Sequence, residues 1–194
     1  MRTVWRFLVL ALFAVPAAAS AQPRAFPVWE RPAAGVFLGP SGNGDQNSRD
    51  SGLDVSFVFD TPVVFAHRVR ADASRVSWRF VERDYLGVLH ASDVVTLKSI
   101  RLSLLSVRHA GPRMAGYAGG GYGAYRYEYA HLPLHHPWRG GFHGVAGLES
   151  VSQSQRFAVD GEVRLHAING TGQPPVVSVA FFKLDAAIGI KMRF

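Results

Sequence analysis

The chain has no cysteine among its 194 residues. Disulfides are excluded, so stability must come from packing, backbone pairing or a membrane. No stretch reaches eighteen consecutive apolar residues, and a helix needs about 20 to cross a bilayer. If the protein lies in a membrane, it does not cross as helices. Helical periodicity is almost missing after the first residues, and glycine, 20 in all, disfavours helix interiors. The length suits one domain. The apolar fraction, 48%, is too high for a disordered chain.

The chain starts MRTVWRFLVLALFAVPAAASAQ. Arg2 and Arg6 precede an apolar run from Phe7 to Val15, and Ala19-Ser20-Ala21 fits a small-x-small cleavage site. This predicts a secretory signal peptide over 1–21, cut after Ala21. A short lead-in (22–32) and one barrel domain (33–194) follow. Cleavage removes Arg2 and Arg6 and lowers the formal charge from +7 to +5. In an exported protein this basicity does not argue for nucleic acid. It suits a surface facing anionic lipid.

Alternation dominates the rest, in segments broken by turn residues. The clearest segment is the last, VVSVAFFKLDAAIGIKMRF. From Ala180 every second residue is apolar, through Leu184, Ile188 and Ile190 to Phe194, while Lys183, Asp185, Lys191 and Arg193 fall between them. QRFAVDGEVRLHA sets Phe157, Val159, Val163 and Leu165 against Arg156, Asp160, Glu162, Arg164 and His166. FHGVAGLE sets Phe142 and Leu148 against His143 and Glu149. LDVSFVFD sets Leu53, Val55, Phe57 and Phe59 against Asp54 and Asp60. In GYAGGGYGAYRYEYAH, Tyr125, Tyr127 and Tyr129 share one face and Arg126 and Glu128 the other. Segments 34–39, 67–84 and 94–109 are less regular. The second changes phase midway, and the third predicts a bulge near Ser99. Eight strands result, the first and third being the weakest.

Long polar links (40–52, 85–92, 131–141, 169–175) alternate with short ones (60–63, 110–113, 150–154). This predicts an all-β, eight-stranded, antiparallel up-and-down transmembrane barrel with both termini at the short-turn end. A soluble barrel would turn the apolar face inward around a cavity; a membrane barrel would turn it toward lipid. Lipid is favoured by the long apolar face of the last strand, by the tyrosines near the long-loop end and by the terminal Phe194. Tyr125, Tyr127, Tyr129 and Trp138 are accordingly read as interfacial aromatics.

A signal peptide, alternating strands and a last strand ending in phenylalanine resemble the small bacterial outer-membrane β-barrel proteins. The resemblance covers nearly the whole mature chain but is architectural, and no motif marks a subfamily. It implies a place in the outer membrane among lipid and lipopolysaccharide. It also implies that AAIGIKMRF, ending in Phe194, is the signal read by the barrel-assembly machinery.

The lumen is then expected to hold Arg126, Glu128, Glu149, Arg156, Asp160, Glu162, Arg164, His166, Lys183 and Asp185, joined by Asp54, Asp60, Lys191 and Arg193. Eight strands leave room only for side chains, so these charges must pair and plug the barrel. No catalytic set is found. LHAING resembles the His-x-Ser-Asn motif of lipid A deacylase barrels through His166 and Asn169, but Ile168 stands where the serine nucleophile is needed. His131, His135, His136 and His143 match no metal motif and are read as loop residues. GYAGGGYG lacks the Lys-Ser/Thr of a phosphate loop. Asp45 and Asp50 lack the spacing of an EF-hand. No cofactor is implied.

The function expected is a non-enzymatic, structural or surface-interactive role, with four loops offered to an unidentified extracellular partner. The alternatives are a narrow channel or small-solute carrier, a lipid-modifying enzyme, and a secreted soluble barrel holding an apolar ligand.

Overall fold

A computed structural model describes residues 27–43, 51–83, 89–130, 137–169 and 181–194. The signal peptide, Asp45, Asp50, His131, His135 and His136 lie outside the described residues. A 3-10 helix (Pro27–Glu30) leads into eight strands: β1 (Ala33–Asn43), β2 (Ser51–Asp60), β3 (His67–Arg83), β4 (Leu89–His109), β5 (Met114–Tyr129), β6 (Arg139–Val151), β7 (Phe157–Ile168) and β8 (Phe181–Arg193). Each pairs antiparallel with the next, and β1 closes on β8, for example Ala33 opposite Arg193. The expected all-β, eight-stranded up-and-down barrel is therefore observed. Both ends of the described chain sit at one end, here called the terminal end. The links after β1, β3, β5 and β7 lie at the other, the loop end.

The period-2 alternation sorts side chains between two surfaces. Through the middle of the barrel the apolar set points outward: Phe57 is 64% exposed and Ile188 70%. The charged set points inward and is buried. This is the reverse of a water-soluble barrel, and the exposed apolar wall requires lipid. The secreted barrel with an apolar cavity is excluded, because its cavity-lining face is on the outside.

Three expectations about the strands are corrected. The third strand is not weak: β3 is 17 residues long and β4 is 21. Neither the phase change in 67–84 nor the bulge near Ser99 occurs. β3 and β4 pair residue for residue from His67–Ser106 to Glu82–Ala91, and the register shifts only between Glu82 and Arg83. What changes along these strands is polarity. Near the terminal end Arg68, Arg70 and Asp72 point inward while Val69 points out. Toward the loop end Val76 and Trp78 are buried inside, and Arg75 stands outside. The strands leave the apolar belt and continue as an ordinary barrel wall, dry inside and wet outside.

The links shift with them. β1 runs through Asn43, and β4 starts at Leu89, inside stretches read as loops. The first short link reverses at Phe65-Ala66, not within 60–63. Val64 and His67 exchange two backbone hydrogen bonds (2.7 and 2.9 Å), and both residues between them have positive φ, 50° and 63°.

Candidate functional site

The interior is built in layers. At the terminal end Trp29, brought in by the 3-10 helix, is 1% exposed and packs with Leu105, Val107, Val145 and Val151. The Arg193 guanidinium lies 4.6 Å from the centre of its ring system. At the loop end Val76, Trp78, Val95, Leu97, Tyr125 and Ile168 form a second apolar layer, with Tyr127 and Tyr129 packed against it. Between them lies an ionic middle.

Among the described residues the buried basic groups are Arg68, Arg70, Arg101, Arg164, Lys183, Lys191 and Arg193. The buried acidic groups are Asp54, Asp60, Asp72, Glu149, Asp160, Glu162 and Asp185. Seven face seven. An unpaired ion would cost several kcal/mol in such a place, so matched numbers are the condition for filling the lumen this way.

Most of the pairs link different strands, with Arg164–Glu162 on β7 and Lys183–Asp185 on β8 as pairs within one strand. Lys191 on β8 donates to Asp60 on β2 (2.9 Å) and Glu149 on β6 (2.8 Å), and lies 2.6 Å from Asp160 on β7. Arg70 on β3 grips Asp60 with two nitrogens (2.6 and 3.0 Å) and reaches Glu162 on β7 (2.5 Å). That two-pronged contact is what a guanidinium offers and an ammonium does not. Tyr117 on β5 places its hydroxyl 2.6 Å from both Asp160 and Glu162. Arg68 and Arg193 both engage Glu149.

Nearer the loop end, Arg101 Nε donates to Asp72 (2.5 Å), and its Nη1 lies 3.2 Å from His166 Nε2. The same imidazole nitrogen lies 2.9 Å from Asp185, which accepts from Lys183 at 2.8 Å. Arg164 pairs with Glu162 and donates to Ser56 (2.8 Å). Phe37, fully buried, lies between the two halves. The guanidiniums of Arg70 and Arg164 stand 5.7 and 5.5 Å from its centroid. Its own space comes from Gly189, directly opposite on β8, where a Cβ would lie 2.5 Å from the ring.

Of the fourteen residues expected in the lumen, eleven are buried inside the barrel: Asp54, Asp60, Glu149, Asp160, Glu162, Arg164, His166, Lys183, Asp185, Lys191 and Arg193. Three are not. Arg156 is exposed in the turn before β7. Arg126 and Glu128 point outward. Tyr125, Tyr127 and Tyr129, read as facing the membrane, point inward instead. Tyr125 is 1% exposed, and its hydroxyl lies 3.1 Å from His166 Nδ1. The cause is the polarity reversal: YRYEY lies above the apolar belt, where the inner face is the dry one. Among the described residues the outward tyrosine is Tyr122, edge-on to Phe142 across the strands at 5.2 Å. Trp138 is exposed at the loop end, and Phe194 at the terminal end.

Sequence reading missed Arg68, Arg70, Asp72, Arg101 and Tyr117. His143 is not a loop residue. It is buried on β6, with Nε2 2.7 Å from Ser103 Oγ. This serine–imidazole contact lies between the two apolar layers. At the deacylase-like position, Ile168 is buried beside His166 in the layer above, with no hydroxyl. Among the described residues no group of three or more His, Asp or Glu is placed to hold a metal ion.

No family model and no curated protein matches the sequence. Solved structures match the fold. Neisserial surface protein A (NspA) superposes with a TM-score of 0.64 at 12% identity, covering 84% of this chain and 97% of that one. The outer membrane protein OprG from Pseudomonas aeruginosa gives 0.57 at 14%, covering 84% and 96%. The N-terminal β-barrel domain of Pseudomonas aeruginosa OprF gives 0.51 at 8%, covering 84% and 97%. The chain thus has the fold of the small eight-stranded outer-membrane barrels, and at these identities the likeness speaks for the fold alone.

Proposed function

We propose that this is a non-enzymatic outer-membrane barrel that stabilises the envelope and presents its loop end to the outside, and that it does not conduct. One observation carries the closed reading. Lys191 and Arg70 each tie three strands together across the lumen, so the bore is filled by ion pairs that cannot part without leaving buried charge behind. In this reading residues 1–21 are removed as a signal peptide and 22–32 lead into the barrel at the periplasmic, terminal end. Phe194 closes the strand read by the assembly machinery, and the belt is surrounded by outer-membrane lipid and lipopolysaccharide. The extracellular partner is whatever meets the loop end. No cofactor is required.

The test is conductance. The protein is purified in mild detergent, and its fold is checked by a band that shifts only on boiling. It is then added to planar bilayers. A folded protein giving no openings above background is expected. Stable unitary openings from the same folded material contradict the closed lumen and favour the narrow channel. The enzymatic alternative is met by mass spectrometry of lipid A with and without expression, where an unchanged spectrum is expected.

A further inference from the structure

The outer wall of β3, β4 and β5 changes chemistry at one level. Reading from the terminal end toward the loop end, the outward residues in register are Val69, Leu104 and Gly120, then Ala71, Leu102 and Tyr122, then Ala73, Ile100 and Ala124. The next row is Arg75, Lys98 and Arg126, and above it stand Ser77, Thr96 and Glu128. Three cations thus sit directly opposite one another on three adjacent strands. Like charges in facing positions destabilise a sheet. Among the described residues one carboxylate joins the row: Glu128 lies 2.8 Å from Lys98 Nζ and 3.6 Å from Arg126 Nε, and it also feels the charge of Arg75. Three positive charges meet one negative. The side chains are available, Lys98 being 43% exposed and Arg126 37%.

Two independent observations place this row at the lipid boundary. First, it is where the wall inverts: below it the interior is ionic, and beside and above it the interior is Val76, Trp78, Val95, Leu97 and Tyr125. Second, β4 carries its own ruler. Its outward face runs Lys98, Ile100, Leu102, Leu104, Ser106, Arg108, with a cation at each end. Ten residues at about 3.4 Å each span about 34 Å of strand. Tilted by about 40°, that is about 26 Å along the membrane normal, the height of an outer-membrane apolar band.

We propose that Arg75, Lys98 and Arg126 form a binding site for the phosphorylated sugar headgroup of an outer-leaflet glycolipid. This rests on the outer-membrane reading above and adds a ligand to it. The charge is complementary, and guanidinium forks flanking an ammonium are the donor set phosphate groups favour. With strands about 4.8 Å apart, the row is about 10 Å wide, the breadth of one headgroup. Ile100, Leu102 and Tyr122 lie where the acyl chains descend. The paired hydroxyls of Ser77 and Thr96, 2.8 Å apart, lie above, on the sugar side.

The experiment uses the full folded barrel in zwitterionic nanodiscs. Binding of diphosphorylated lipid A is measured against the same lipid stripped of phosphate, with inorganic phosphate as competitor. Wild type is expected to prefer the phosphorylated lipid. The triple variant R75T/K98T/R126T should bind it at least about tenfold more weakly, since it removes all three charge-assisted donors to the phosphates. Arg75→Lys with Arg126→Lys should keep most of the binding, and Glu128→Gln should tighten it. The boil-dependent gel shift separates lost binding from lost folding, and outer-membrane fractionation tests the underlying reading separately. Equal binding by the folded triple variant, or by the dephosphorylated lipid, overturns the site. Full displacement by inorganic phosphate at equal phosphate concentration overturns the lipid as its ligand.

Discussion

Lys191 has no exposed surface and faces three carboxylates from three strands. Replacing it with methionine removes the cation and leaves Asp60, Glu149 and Asp160 around an apolar stem. Breaking a buried pair in this way costs about 3–5 kcal/mol. Urea unfolding of Lys191→Met in detergent micelles should show that loss, and a midpoint unchanged from wild type would mean that the lumen is wet and the charges screened. Gly189 tests packing in the same layer. Its Cβ would lie 2.5 Å from the buried Phe37 ring, so Gly189→Ala should cost about 1–3 kcal/mol through overpacking. A neutral result in the same unfolding assay would show that Phe37 has room to move. Residue by residue, legibility followed contrast. Asp160, Glu162, Arg164, Lys183 and Asp185 could be read because their strands set bulky apolar residues against charge. Arg70 and Asp72 could not, because Ala71 and Ala73 on the opposite face of β3 barely signal lipid.

At the scale of elements, the strands were legible where they lie wholly within the belt. β2, β7 and β8 keep their bulky apolar residues outward and their charges inward along most of their length, and the residues assigned to each face lie on that face. β3, β4 and β5 cross from the belt into water and invert. A fixed rule that apolar means outward then looks like a phase change in 67–84 and turns YRYEY inside out. The inversion is itself the readable signal once expected: a strand that holds its register but exchanges apolar and charged faces is leaving the membrane. The β2–β3 turn offers a separate check. Ala66 sits at φ 63°, a left-handed conformation that costs a residue with a Cβ roughly 1–2 kcal/mol and glycine little. Ala66→Gly should therefore raise the unfolding midpoint of the barrel, and a fall would mean that the side chain contributes contacts outweighing the backbone strain.

For the whole molecule, the ionic middle is held between two dry layers, Trp29 at one end and the Trp78–Tyr125 group at the other. Closure at both ends should make the core indifferent to salt, because buried pairs are screened far less than surface ones. The stability of the wild-type barrel is expected to change little between low and about 0.5 M salt, measured by unfolding in neutral detergent; a steep fall would place water among the pairs. The barrel sorts its faces, with lipid outside the belt, ion pairs inside it, and inversion at the row of Arg75, Lys98 and Arg126. The absence of cysteine makes this directly measurable. Single cysteines along β4, from Thr96 to Leu104, are spin-labelled in reconstituted bilayers and probed with oxygen, which enters lipid, and with a water-soluble nickel chelate. Labels at positions 100, 102 and 104 should meet oxygen, those at 96 and 98 the chelate, and those at 101 and 103 neither. Chelate access at 100, 102 and 104, or free access at 101 and 103, would contradict it.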